Sequence, residues 1–137
     1  MSSFKIFDIA ASGMAAESLR LNTVASNLAN ANTISSSKDG VYRARQVVFE
    51  EVRGALNGPD AGAAVKVREV IEAQADALAR YEPGNPLADA SGYVYSPNIN
   101  SIEQMVDMIS SSRSYQNNIE VVNTSRDLML ATLRLGQ

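Results

Sequence analysis

Two long stretches of the chain, residues 3–33 and 100–135, carry apolar side chains at alternating steps of three and four. Such steps average the 3.5-residue period of a coiled-coil seam, so each stretch is predicted to form a long helix with one apolar stripe. The first stripe consists of Phe7, Ala10, Met14, Glu17, Leu21, Val24, Leu28 and Ala31. The second consists of Met105, Met108, Ser112, Tyr115, Ile119, Val122, Arg126, Met129 and Leu133. Matching stripes at the two ends predict that the helices pair with each other.

The face of the first helix away from its stripe carries almost no charge. The ionisable side chains of residues 3–33 are Lys5, Asp8, Glu17 and Arg20. A surface helix usually has charges on its solvated face. Short uncharged polar groups can instead be buried against a neighbour when they are hydrogen-bonded. We therefore predict a second, inter-subunit interface, with hydrogen bonds from Asn27, Asn30 and Asn32; a helix C-cap accounts equally well for Asn32.

The second helix is predicted to be marginal on its own. It is rich in Ser and Asn, which are less favourable than Ala by about 0.5 kcal/mol each in a helix. Its start is nevertheless well marked, because Pro97 ends the preceding segment and Asn100 with Glu103 has the form of a capping box. We expect both helices to be loosely ordered in the free chain and to become helical when packed against partners.

The middle of the chain is predicted to be a small β element. Residues 41–52 and 65–71 have the alternation and β-branched content of strands, and residues 92–95 form a third extended piece. Residues 57–59 and 83–86 read as breaks or turns, while residues 73–80 are interpreted as a linker. The predicted class is therefore α+β and mostly α. A discontinuous domain of terminal helices (1–34 and 95–137) encloses a middle element (35–94).

Composition removes several kinds of chemistry. The 137-residue chain has no Cys and no His, which excludes thiol nucleophiles, thiolate or imidazole metal sites and the usual general base. The net charge is −3 and Lys and Arg are scattered along the chain, so the sequence shows no basic patch of the kind that binds nucleic acid. Neither end has an apolar span near 20 residues or the order of a signal peptide. We expect no catalytic residue, metal or cofactor; the scattered carboxylates are better explained as solvated charges than as a glycosidase pair.

Several motifs resemble the bacterial flagellar rod and hook proteins. The N-terminal signature of that family is carried by ASGMAA at 11–16 and LNTVASNLANANT at 21–33. The proximal rod subtype is indicated by YRARQVVFEE at 42–51, YEPGNPLAD at 81–89, GYV at 92–94, PNIN at 97–100, MVDMI at 105–109 and RSYQ at 113–116. The resemblance covers nearly the whole chain; residues 53–80 carry no diagnostic motif.

The resemblance implies a structural subunit rather than an enzyme. Members are axial components whose terminal helices pair as a coiled coil around a central channel. The proximal rod lies in the basal body, transmits torque and is exported through the flagellar type III apparatus without a cleaved signal peptide. Its expected partners are like subunits, other rod proteins, the inner-membrane ring and the export gate.

The expected assembly interface comprises Phe7, Ala10, Met14, Leu21, Val24, Asn27, Leu28, Asn30, Ala31, Met105, Met108, Tyr115, Ile119, Val122, Met129 and Leu133, packed within the subunit or across to the next. Two other classes stay open on the residues alone. A cytosolic coiled-coil adaptor would share the heptads, although charged flanking positions would be expected. A peptidoglycan-cleaving enzyme would need converging carboxylates.

Overall fold

A computed structural model of the protein describes residues 3–52 and 63–135. Its two helices are α1, Ser3–Asn30, and α2, Ser101–Leu135. At 1.5 Å per residue they are about 42 and 53 Å long. The side chain of Asn27, near the end of α1, bonds Gln104 near the start of α2, whereas Gly13 lies against Asn118. The helices therefore run antiparallel, and the predicted pairing of the two ends is confirmed.

The ends of the helices follow local chemistry. Asn100 caps α2, because its Oδ1 accepts hydrogen bonds from the backbone N–H groups of Ile102 and Glu103 at 3.1 and 3.4 Å. α1 ends in short-range turns in which the N–H of Thr33 donates to the carbonyl of Asn30. Asn32 is exposed, and no described residue other than Gly92 has a positive φ. Asn32 thus lies in the C-terminal cap region of α1, without a left-handed backbone conformation.

A β-hairpin lies along one side of α1. Its strands are β1, Arg45–Val52, and β2, Ala64–Glu72, paired antiparallel from Arg45 opposite Glu72 to Val52 opposite Ala64. The register shifts between Val48 and Phe49, a β-bulge. The N–H of Val65 donates to Ser12 Oγ at 3.2 Å, and the base of the hairpin is held at Asn27. Both predicted strands are thereby confirmed; the predicted break at 57–59 falls outside the described residues.

A second small hairpin precedes α2. It consists of β3, Leu78–Tyr81, paired antiparallel with β4, Tyr93–Ser96. The prediction that residues 73–80 form only a linker is wrong for 78–80. The strand pattern is hard to see locally, because a four-residue strand is fixed by its partner β4 rather than by its own propensity. The predicted turn at 83–86 is confirmed, and Ser35 bonds Tyr95 through two backbone hydrogen bonds, joining the end of α1 to β4.

The core is small. Among the described residues it consists of three alanines and two valines: Ala10, Ala16, Val24, Ala31 and Val94. Three polar side chains are buried with them, Thr23 at 9% exposure, Asn27 at 1% and Ser111 at 0%. Little apolar area is therefore removed from water within one subunit, so the fold depends heavily on backbone and side-chain hydrogen bonds.

Candidate assembly interface

The seam between α1 and α2 is built from short and polar side chains. On α1 one row of the seam is Ala10, Glu17, Val24 and Ala31, and the other is Gly13, Arg20 and Asn27. On α2 the two rows are Met108, Tyr115, Val122 and Met129, and Gln104, Ser111, Asn118 and Ser125. All of these positions are buried or half-buried. The seam thus follows the predicted period, with one predicted row kept on each helix.

The other predicted row on each helix lies one position away from the seam. Phe7, Met14, Leu21 and Leu28 are half-buried at its flank. On α2, Met105, Ile119, Arg126 and Leu133 are exposed. The pattern alone selects these residues because they are the larger apolar side chains at a spacing of seven. The helices instead approach through Gly13, Asn27, Ser111 and their neighbours, which recur at the same spacing. Asn27 was among the predicted interface residues, whereas Gly13 and Ser111 were not predicted, because they are small or polar.

Asn27 is the best-connected side chain in the seam. Its Nδ2 donates to the carbonyl of Arg45 at 2.8 Å and to Gln104 Oε1 at 2.9 Å. Its Oδ1 accepts from the N–H of Arg45 at 2.9 Å and from the hydroxyl of Tyr42 at 3.0 Å. One amide therefore ties α1 to both α2 and β1. These four bonds are made within the subunit, and a role for Asn27 in contacts between subunits stays a prediction.

Asn30 and Asn32 contribute differently. The Nδ2 of Asn30 donates to the carbonyl of Ser26 at 2.8 Å, a bond within α1. Asn32 lies exposed beyond the helix. A role for either in contacts between subunits stays a prediction.

A short charge network crosses the seam. Arg20 lies 3.5 Å from Asp107 on α2 and 3.8 Å from Glu17 on the preceding turn of its own helix. Glu17 belongs to the seam row, and its Oε2 is buried without a hydrogen-bond partner among the described residues. The Arg20 guanidinium compensates part of the cost of burying this carboxylate, but the oxygen that lies near it accepts no hydrogen bond.

Gly13 lies at a close contact between the two helices. A Cβ at this position would lie 2.9 Å from Nδ2 and 3.2 Å from Cγ of Asn118. Real Cβ atoms almost never come that near, so a side chain here requires Asn118 or the helix to move. The glycine of the ASGMAA motif is therefore a packing residue.

The loop between β3 and β4 is ordered by Asp89. Its Oδ1 accepts hydrogen bonds from the N–H groups of Tyr93 at 2.9 Å and Ser91 at 2.8 Å, and its Oδ2 accepts from the hydroxyl of Tyr95 at 2.9 Å. The bond from the Tyr93 backbone is the main reason that the pKa of Asp89 is lowered, and the same carboxylate raises the pKa of Tyr95. Gly92, at a φ of 85°, allows Tyr81 to lie beside this turn.

The acidic side chains of the described residues are dispersed or paired with arginines. No group of three or more acidic side chains in 3–52 and 63–135 could hold a metal ion. The carboxylates of the β1–β2 hairpin include Glu72, paired with Arg45 at 3.4 Å, and Glu69, near Arg68 at 3.7 Å. Two open grooves of about 450 and 300 Å³ are lined by mixed charges, Arg43 and Asp76 in one, Arg20 and Asp107 in the other. Within the described chain, neither helix is apolar and long enough to cross a membrane.

An elongated antiparallel helix pair with a small core and apolar side chains left on its surface is the architecture of an assembly subunit. Comparison with known proteins specifies which one. Residues 7–34 match the family model described as "Flagella basal body rod protein", and residues 90–135 match "Flagellar basal body rod FlgEFG protein C-terminal".

Curated relatives extend the match to the whole chain. It is 54% identical to the flagellar basal-body rod protein FlgC of Salmonella typhimurium and 53% identical to that of Escherichia coli O157:H7, over the full length of both chains in each case. The protein of the same name in Bacillus subtilis is 32% identical, again over both full chains. The chain belongs to the FlgC family of flagellar basal-body rod proteins and is a structural rod subunit. This family membership favours the hypothesis of a structural rod subunit over those of a cytosolic adaptor and a peptidoglycan-cleaving enzyme.

Proposed function

We propose that this subunit forms part of the proximal rod and assembles with like subunits and other rod proteins through its terminal helices. The rod would act as the torque-transmitting drive shaft around the export channel. We further propose that the chain is exported through the flagellar type III apparatus without a cleaved signal peptide, occupies the periplasmic part of the basal body and contacts the inner-membrane ring and the export gate.

The observation that best supports the assembly proposal is that large apolar side chains are exposed while the buried core is small. Seventeen large apolar side chains are exposed in the described chain, whereas its core holds three alanines and two valines. Apolar surface contributes roughly 25 cal/mol per Å² when it leaves water, so contacts between subunits offer stabilisation that the single chain does not obtain. The predicted interface residues Met105, Ile119 and Leu133 belong to this exposed set.

Substitution of Ile119 tests the proposal. Ile119 is 38% exposed, so Ile119→Ala removes contacts that a neighbour would make together with contacts inside the subunit. In a strain lacking the wild-type gene, we expect this variant to fold with some loss of stability and to be depleted from isolated basal bodies, with swimming strongly reduced. Glu120→Ala, at an adjacent exposed position, is the matched control and should swim normally.

Leu28→Ala should have the same effect on assembly together with a cost to the monomer, because Leu28 is half-buried. Thermal unfolding of each purified variant separates the two effects. Normal incorporation and swimming of Ile119→Ala would contradict this use of the helix surface.

A further inference from the structure

The first two turns of α2 carry a ridge of large apolar side chains on the side opposite α1. The α2 ridge consists of Ile102, Met105, Val106 and Ile109, which are 74%, 49%, 60% and 54% exposed. Their spacing of three, one and three places them on one helix face. Gln104, Met108 and Ser111, which face α1, occupy the other side. No described element of the subunit covers the ridge.

The size of the ridge indicates a contact that forms only within a larger assembly. It exposes on the order of 400 Å² of apolar surface, which is within the range of the largest apolar patch on a monomer, and such patches are often functional. A stable pair of proteins usually buries about 800 Å² on each partner. The ridge alone therefore does not hold two free copies together, but it adds to other contacts once subunits are aligned.

The geometry of a rod restricts how the ridge can be used. If the ridges of two copies met each other, the contact would be isologous and would close a dimer. A growing rod requires heterologous contacts, in which one surface of a subunit meets a different surface of the next. The occupant of the ridge should therefore be another part of the same molecule, presented by a second copy.

The outer face of α1 is the surface that fits. It consists of Ala11, Ala15, Ser18, Asn22, Ala25 and Ala29, all exposed and spaced four, three, four, three, four. From Ala11 onward it has no ionisable side chain to desolvate, although exposed Asp8 lies at the same spacing just before it, and half-buried Met14, Leu21 and Leu28 border it. Other exposed surfaces are less suitable, because β2 carries Lys66, Arg68, Glu69 and Glu72, and the later turns of α2 carry Glu120, Arg126, Asp127 and Arg134.

We propose that the α2 ridge of one copy packs against the outer face of α1 of a second copy. The large apolar side chains of the ridge would pack between the small side chains of α1. Short side chains on one helix allow the two axes to approach to about 8 Å. This contact rests on the proposed assembly role and specifies which two surfaces meet. It also gives the uncharged face of α1 a partner.

Cysteine cross-linking tests the pairing directly, since the chain has no cysteine of its own. Two differently tagged variants, Val106→Cys on the ridge and Ser18→Cys on the outer face of α1, are co-expressed in cells lacking the wild-type gene. Basal bodies are isolated and treated with a short bismaleimide. We expect a cross-linked species that carries both tags and is at least tenfold more abundant than with Glu103→Cys in place of Val106→Cys.

Each outcome decides the proposal. Cross-links only between two Val106→Cys chains, or none although both variants are present in basal bodies, would overturn it. Ile102→Cys serves as a second ridge position if Val106→Cys is not incorporated, and exclusion of both from basal bodies that accept Glu103→Cys supports a packed ridge. Absence of the wild-type chain itself from basal bodies would instead refute the assembly role.

Discussion

At the scale of single residues, Asn27 makes more hydrogen bonds to other elements than its position in a polar stretch of helix indicates. The sequence shows an asparagine on an uncharged helix and predicts its burial, which the structure confirms at 1% exposure. The partners could not be predicted, because Gln104 lies on the distant second helix and the Arg45 backbone lies at the start of β1. A buried amide that uses two donors and two acceptors has no equivalent among other side chains of its size.

Asn27→Asp should therefore destabilise the subunit more than Asn27→Ala. The carboxylate loses both donors and brings a charge toward the carbonyl of Arg45, at a cost of about 3 kcal/mol or more, whereas Ala leaves partners unpaired at about 2 kcal/mol. Urea unfolding followed by circular dichroism measures both. Asn22→Asp, on the exposed face of the same helix, is the control and should leave the free energy of unfolding nearly unchanged. Equal tolerance of Asp and Ala at position 27 would mean that the site admits water.

Asp89 gives the β3–β4 loop a dependence on pH. Its pKa is lowered in the folded chain, chiefly by the Tyr93 N–H and then by the Tyr95 hydroxyl. A lowered pKa means that the stabilisation is complete above the unfolded value, about 3.9, and is lost as the pH falls through the folded value.

We expect amide exchange at Tyr93 and Ser91, after correction for intrinsic rates, to accelerate as the pH falls below about 4. Asp89→Asn should remove this pH dependence and leave faster exchange at neutral pH. Because Glu82 also has a lowered pKa, through its hydrogen bond from Asn85, Glu82→Gln is the control. If the acid-induced change persists in Asp89→Asn, another group is responsible for it.

At the scale of elements, periodicity was enough to predict the two helices and their pairing, but not the face by which they meet. Adjacent positions, such as Leu28 and Asn27 or Met105 and Gln104, differ by only 100° of rotation about the helix axis. The pattern therefore favours the row of larger apolar residues as the predicted seam. In this protein the seam uses small and hydrogen-bonding side chains, which leaves the larger apolar ones for other contacts. That division depends on the assembly, so the sequence of one chain does not reveal it.

The contact of Gly13 with Asn118 predicts a coupling between the helices. In a helix Ala is more stable than Gly by about 1 kcal/mol, but here the methyl group meets Asn118. Gly13→Ala should therefore gain little or lose stability in the wild-type background, and gain about 1 kcal/mol in the background of Asn118→Ala.

A double-mutant cycle by thermal or urea unfolding measures that coupling. Ser18→Ala, on the exposed face of α1, is the control because its effect should be the same with either residue at 118. A full stabilisation by Gly13→Ala alone would show that the helices do not approach this closely in solution.

At the scale of the whole molecule, the small core and the exposed helix surfaces predict that helicity and association are linked. The seam contains Glu17, one oxygen of which accepts no hydrogen bond, and α2 is rich in Ser and Asn, so we expect the helix pair to be marginally stable in the free chain. We expect circular dichroism at low protein concentration to give less helix than the 28 and 35 residues of α1 and α2. Helicity should rise at concentrations where sedimentation detects oligomers, and Ile119→Ala should shift that rise to higher concentration. A chain that is fully helical and monomeric at every concentration would instead be stabilised from within, and its exposed apolar surface would then need an explanation other than assembly.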